Sequence, residues 1–268
     1  MRYDTAHCPS SFRKGIVVTA DRPVLISVIQ YQEQITAGAM SITDLFDAAY
    51  RLGADGVELR PQFWKEKARE LPAARERAAQ HGLLVTYATM GRLFDTDPAS
   101  LRQDIDDARS LGSPILRVFP GPVPADDDTA GWEVGQVIAR YAETQGITLA
   151  LENFVGTPGG TLDEIERGLA HIPALMTNID IGNYPRHNQD VPAAIRAIGN
   201  RAISAHLKDA DDDPANGTTY LGGALLPLPA ILDALDRLPQ RILLIFEFGG
   251  GDDPDDRIRR SIAYLRAR

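Results

Sequence analysis

The sequence predicts an α/β chain that closes into a single (β/α)8 barrel, and three observations predict it. Short apolar runs alternate eight times with amphipathic or Ala-rich stretches, at spacings of roughly 25–40 residues, and such alternation implies parallel strands joined by helices. The alternation fills most of the 268 residues with no composition break, which is the length a closed (β/α)8 barrel requires. Four of the last apolar runs end on Glu, Asp, His and Glu, and catalytic groups of a barrel come from the carboxyl ends of its strands. The alternative, a doubly wound open sheet, is disfavoured because the first strand–helix turn, 30–40, contains no Gly-x-Gly-x-x-Gly.

Each element can be justified in order. Residues 1–22 are polar apart from 15–19 and are expected to form an N-terminal arm or an extra capping strand. The barrel is expected over 23–268. An apolar run at 24–30 reads as strand one. The 41–52 stretch reads as a helix, with apolar residues at 42, 45, 46, 49 and 52, Ser41 and Asp44 as its start signal and Gly53 as its stop. Strand two is expected at 56–61, helix two at 65–81 with Gly82 as its stop, and strand three at 83–88. Asp97 and Pro98 open helix three, which runs to 111. Strand four is expected at 114–119 and helix four at 129–145. Strand five follows, at 147–152. Thr161 with Glu164 spells a capping box for a helix at 161–170. Strands at 176–180, 202–206 and 242–247 complete the eight, with helices near 191–198, 228–237 and 255–267.

Composition narrows the function classes. The chain is 44% hydrophobic and 24% charged, the balance of a globular protein with a sizeable core. A net charge of −9 argues against nucleic acid as a partner, since such binding rests on neutralising phosphates. The single cysteine, Cys8, excludes an intrachain disulfide and fits a reducing compartment. It has no recognisable base beside it to make it a nucleophile. No apolar run reaches the roughly 18 residues of a membrane helix, and the N-terminus lacks the apolar core of a signal peptide. A cytoplasmic protein without a membrane partner is expected.

The four strand ends carry the chemistry. Glu152 ends the run 147–152 and is followed at once by the Gly/Pro-rich loop 156–160. Asp180 ends 176–180, His206 ends 202–206 and Glu247 ends 242–247. A buried ionised carboxylate must be paired, solvated or bound to a cation. One strand-end acid alone is more often a helix cap or half of an ion pair, but four on consecutive strands are hard to obtain by accident. Three carboxylates and one imidazole suit a hard or borderline divalent ion: Mn²⁺ first, then Mg²⁺, Co²⁺ or Zn²⁺. On an octahedral ion they leave two positions for neighbouring oxygens of a substrate.

Glu152-Asn153, the Asp180-Ile-Gly-Asn183 segment, the His206-Leu-Lys-Asp209 segment and Phe246-Glu247 resemble the signature of the xylose isomerase-like TIM-barrel superfamily of sugar isomerases and epimerases. The ligand spacings are 28, 26 and 41 residues. Gly56-Val-Glu58 and the segment 116–121 are similar to its second and fourth strands. The resemblance implies a carbohydrate substrate, possession of one divalent ion, and metal binding by Glu152, Asp180, His206 and Glu247. It also implies that Glu152 and Glu247 act as the two acid/base groups, moving a proton through a metal-stabilised cis-enediolate, and it raises the expectation of a homo-oligomer. Three departures from the 3-epimerases stand out. Asn183 occupies the position of a substrate-contacting His, the loop after His206 lacks their Arg, and the loop after Glu152 lacks their second Glu. A dehydratase acting on an inosose or dehydroshikimate-type ring is the alternative on the same site, and a non-catalytic sugar-binding barrel is another.

Five further residues are candidates for substrate contact. Glu58 ends strand two and is expected to meet substrate hydroxyls or orient a ligand, with a structural ion pair as its plainer role. Lys208 lies two residues past His206, hence on the same side of the strand. It can face a developing negative charge or a phosphate, or simply pair with Asp209. Arg117 lies inside strand four and is expected to point into the barrel and pair with a carboxylate. Asn183 and His187 belong to the loop after Asp180 and are placed to reach the mouth.

Overall fold

The computed structural model describes residues 22–95, 97–154, 156–210, 217–223 and 225–268. The expected arm and its strand at 15–19 lie outside these residues, apart from Arg22. Eight parallel strands close into a barrel: β1 (Val24–Ser27), β2 (Gly56–Leu59), β3 (Leu84–Arg92), β4 (Ile115–Phe119), β5 (Thr148–Glu152), β6 (Met176–Asp180), β7 (Ala202–Leu207) and β10 (Leu243–Phe246). Two short strands, β8 (Asp209–Ala210) and β9 (Thr218–Thr219), form an antiparallel pair beyond β7. The first strand pairs with the last through Leu25 and Ile245, which closes the ring and makes this a single (β/α)8 barrel.

The helices are α1 (Gln32–Ala37), α2 (Ile42–Leu52), α3 (Lys67–His81), α4 (Pro98–Leu111), α5 (Thr129–Thr144), α6 (Leu162–His171), α7 (Val191–Ile198), α8 (Leu228–Asp236) and α9 (Pro254–Arg266). Their starts follow the expected cap chemistry. Asp44 accepts from the Ser41 backbone N–H at 2.8 Å while its own N–H donates to Ser41 Oγ at 3.2 Å. Glu164 accepts from both the N–H and the hydroxyl of Thr161, at 3.0 and 2.6 Å. Asp97 caps α4 through the Ser100 N–H. One expectation fails at the start of the barrel. The run 24–30 reads as strand throughout, but β1 stops at Ser27 and the chain turns into a 3-10 helix over Val28–Tyr31 and then α1. A short apolar run does not by itself distinguish strand from buried helix. At the other extreme β3 runs on to Arg92, past the expected end at 88, through a register irregularity between Ala88 and Arg92.

Two apolar regions result from the alternation of side chains along each strand. Outward residues such as Val57, Leu116, Leu151, Ile179 and Phe246 pack under the helices. Inward residues near the amino ends of the strands form a second cluster of Leu25, Ile115, Ala150, Ile203, Leu243 and Ile245, with Leu84 and Met176 against it. This plug closes one end of the barrel interior, and polar and charged side chains occupy the other.

Candidate metal centre

Register places the functional side chains. Glu152 of β5 is paired with Asn178 of β6, and Asn178 with Ser204 of β7; one step further along, Asp180 is paired with His206. Paired residues of parallel strands face the same side, so Asn178 and Ser204 form a layer directly beneath the ligands. Ser204 Oγ donates to Asn178 Oδ1 at 2.7 Å, and Asn178 Nδ2 donates to Glu152 Oε2 at 2.8 Å. Asn153 ties the ends of β5 and β6 together, its amide bonding both the N–H and the carbonyl of Asp180 at 2.8 and 2.9 Å.

Glu152, Asp180, His206 and Glu247 converge. One ligand atom from each lies within 4.8 Å of the others, so the group could hold a metal ion. His206 supplies the test of fit. Its Nε2 is 2.9 Å from Glu58 Oε2, which fixes the ring. Its Nδ1 faces Glu152 Oε2 at 2.9 Å, Glu247 Oε2 at 3.2 Å and Asp180 Oδ2 at 3.9 Å, yet it is buried and makes no hydrogen bond of acceptable geometry. A ring nitrogen aimed among three carboxylates, with its other nitrogen held by a fourth, is the arrangement of a metal-ligating histidine. The donor set fits a hard or borderline dication.

Cations interleave with these acids. Lys208 Nζ donates to Asp180 Oδ2 at 2.7 Å and to Glu247 Oε2 at 2.5 Å. Gly182 makes room for it, because a Cβ there would lie 2.7 Å from Lys208 Cδ. Arg117 Nε stands 3.2 Å from Glu152 Oε2, Nη1 donates to the Thr89 carbonyl at 2.6 Å, and the guanidinium covers the Phe119 ring at 4.4 Å. Arg60 donates to Glu247 Oε1 and lies 3.6 Å from Glu58 Oε1. Burial pushes the Glu152 carboxyl up, but Arg117 and His206 more than reverse this and hold it far below the usual range. Burial acts the same way on Glu58, with His206 and Arg60 reversing it. Burial lowers the His206 imidazole, and Glu58 and Glu152 raise it, leaving it above its ordinary value.

Among the five further candidates, Glu58, Arg117 and Lys208 touch the four-residue group directly. Asn183 is buried just past Asp180, whose carbonyl accepts its N–H at 3.4 Å. His187 ends a 3-10 turn, Tyr184–His187, in the same loop. Among the described residues, neither side chain has an ion pair or hydrogen bond to the group. Arg60 is not among the residues the strand-end pattern singles out, although it stands two residues past Glu58 and thus on the same face of the chain.

A family model described as "Xylose isomerase-like TIM barrel" matches residues 46–268. The chain belongs to this family. No curated protein matches it. Solved structures of similar fold include the D-allulose 3-epimerase from Methylomonas sp. in complex with D-allulose, at 17% identity, with 92% of this chain and 97% of that one covered and a TM-score of 0.73. The probable 3-DHS dehydratase AsbF involved in petrobactin synthesis, from Bacillus anthracis, is similar at 15% identity, 92% and 99% coverage and a TM-score of 0.73. An L-ribulose 3-epimerase is similar at 16% identity, 92% and 94% coverage and a TM-score of 0.72. At these identities the likeness concerns the fold. Among the described residues no helix is long and apolar enough to cross a membrane.

Proposed function

We propose that the protein is a divalent-metal-dependent enzyme that moves a proton at a carbon beside a carbonyl in a sugar, sugar phosphate or sugar acid, as an isomerase or epimerase. The observation that carries this reading is the convergence of three strand-end carboxylates on the buried His206 Nδ1, at 2.9, 3.2 and 3.9 Å. Glu152, Asp180, His206 and Glu247 are the residues that would hold the ion, with Mn²⁺ the best match to their chemistry and Mg²⁺, Co²⁺ or Zn²⁺ its rivals. When bound, such an ion supplies Lewis acidity to a substrate carbonyl.

The chain's own residues supply the rest. Glu152 and Glu247 come from strands on either side of β6 and β7, so they can address a substrate lying over those strands from two directions. The two are not equivalent. Glu152 Oε2 is shared by Asn178, His206 and Arg117 and its side chain is almost fully buried, which makes it a firm anchor and a weak base. The Glu247 side chain is 11% exposed and is the more open proton carrier. Glu58 holds the imidazole orientation, Asn178 that of Glu152, and Lys208 offers an ammonium to negative charge developing on the substrate oxygens. Asn183 and His187 are assigned to the substrate side of the mouth by their loop. A small carbohydrate is the partner this reading requires, and a homo-oligomer in the cytoplasm its expected setting.

Deuterium exchange tests the reading. The Mn²⁺-loaded protein is incubated in D₂O with ketoses, aldoses and keto acids, and deuterium is followed by NMR at the carbon next to the carbonyl. Exchange that disappears with a chelator and returns with Mn²⁺ is expected; chelator-insensitive exchange sinks the proposal. A second reading, a dehydratase, is favoured by Lys208, since an ammonium inside the mouth can protonate a departing hydroxide. It predicts a conjugated product that absorbs in the ultraviolet.

A further inference from the structure

The balance of charge at the mouth bears on what the site accepts. Glu58, Glu152, Asp180 and Glu247 face Arg60, Arg117 and Lys208, and each of these side chains is 11% exposed or less. With a neutral imidazole, four carboxylates against three cations leave one negative charge. A dication turns that into one positive charge in surplus. A buried charge without a partner is strongly unfavourable, so the metal-loaded mouth is built to receive an anion.

The three cations are not equally available for it. Arg117 is committed to the Thr89 carbonyl, Glu152 and the Phe119 face. Arg60 and Lys208, by contrast, have their hydrogen bonds on Glu247 and Asp180, the carboxylates that a metal ion draws on. Arg60 Nε is buried without a hydrogen-bond partner, as are Arg117 Nε and Nη2, so what separates the two arginines is the Arg117 bond to the main-chain Thr89 carbonyl, on which a metal ion does not draw. The two cations also approach opposite oxygens of a single carboxylate, Arg60 at Glu247 Oε1 and Lys208 at Oε2. Their spacing is therefore one that suits a carboxylate group.

We infer that the substrate is itself an anion, with a carboxylate close to the reacting carbon that Arg60 and Lys208 hold. The inference rests on the metal-dependent reading above and narrows it to acidic sugars or keto acids. A neutral ketose would satisfy the metal ligands but bring no charge to offset the surplus, leaving Lys208 only carboxylates shared with the ion and Arg60 only Glu247 and Glu58. Arg60 and Lys208 are thereby specificity residues for that carboxylate.

The test is a binding measurement on three probes. 2-Keto-D-gluconate carries a carboxylate where D-fructose has its C1 hydroxymethyl, and D-fructose 6-phosphate adds a phosphate to the same skeleton. Mn²⁺ uptake is counted first by electron paramagnetic resonance, and each probe is then titrated calorimetrically into the loaded protein. The keto acid should bind at least about 10-fold tighter than either other probe, the effect of one charge-assisted hydrogen bond. Arg60→Gln and Lys208→Met should each remove most of that preference, with Mn²⁺ uptake and the thermal midpoint confirming that the variants are folded. D-fructose binding as tightly, the phosphate binding tightest, or the preference surviving in both variants overturns the inference and leaves the metal reading standing. A protein that takes up no Mn²⁺ overturns both.

Discussion

The two ends of the barrel interior are built from the same strands, often two residues apart, and obey different rules. Toward the amino ends, Leu25, Ala150, Leu243 and Ile245 are held by shape alone. Ala150 gives way to Glu152, and Ile245 to Glu247, one inward position further along. Toward the carboxyl ends the interior is polar and charged, and among the described residues Glu58, Glu152, Asp180 and Glu247 each lie against Arg60, Arg117 or Lys208. Apolar packing of this kind is worth a few kcal/mol per side chain, whereas an uncompensated buried charge costs several. The plug therefore tolerates changes in shape better than the mouth tolerates a change in charge. The difference teaches that one end of the interior is governed by shape, while the other is a poised charge balance that a cation can enter.

Breaking the mouth should give the largest effect. Glu247→Gln keeps the shape and removes the charge, and deuterium exchange into bound substrate should fall by about 10²–10⁴-fold; NMR showing exchange at the parent rate would end the acid/base assignment. Breaking the plug should do the reverse. Ile115→Ala, in the same plug but paired with Thr148 and not with a ligand, should lower unfolding free energy by about 2–5 kcal/mol in a urea titration and leave Mn²⁺ affinity essentially unchanged. A matching loss of affinity would mean that the two ends are not independent.

Subtler changes sharpen the comparison. Glu58→Gln leaves all four ligands in place but weakens the hold on His206, so Mn²⁺ affinity by calorimetry should drop about 10–100-fold. A parent-like affinity would reduce Glu58 to a bystander. The smallest effect is the pH response. In the metal-free protein the raised His206 value favours the imidazolium, and the stability this adds is present below the unfolded value of about 6.5 and lost as pH rises through the folded one. A dication requires the neutral ring, so binding below the folded value should release a proton and weaken as pH falls. Calorimetry in two buffers of different ionisation heat reads that proton count, and a count of zero would contradict it.

Much of this was legible in the chain. Ser41 with Asp44, Asp97 before Pro98, and Thr161 with Glu164 mark helix starts by local hydrogen bonding, which involves only a few consecutive residues. The strand ends at Glu152, Asp180, His206 and Glu247 could be read because an apolar run that finishes on a ligand is also local. Arg117 paired with a carboxylate as expected. The 3-10 turn after Ser27 could not be read, because the apolar run 24–29 suits a strand as well as a buried helical turn. The spacing of Arg60 from Glu58 signals a common face but not its pairing with Glu247, and Lys208 bonds Asp180 and Glu247 rather than the adjacent Asp209.

By itself, then, the sequence determined the order of elements, their caps and which residue types stand at the strand ends, since periodicity and short-range hydrogen bonding decide those. Tertiary structure alone decided the register in which β1 meets β10, that Glu58 reaches His206 148 positions away, and how three cations are shared among four carboxylates. Those outcomes depend on register and stagger around a closed ring. No local pattern encodes distances between side chains that far apart in the chain.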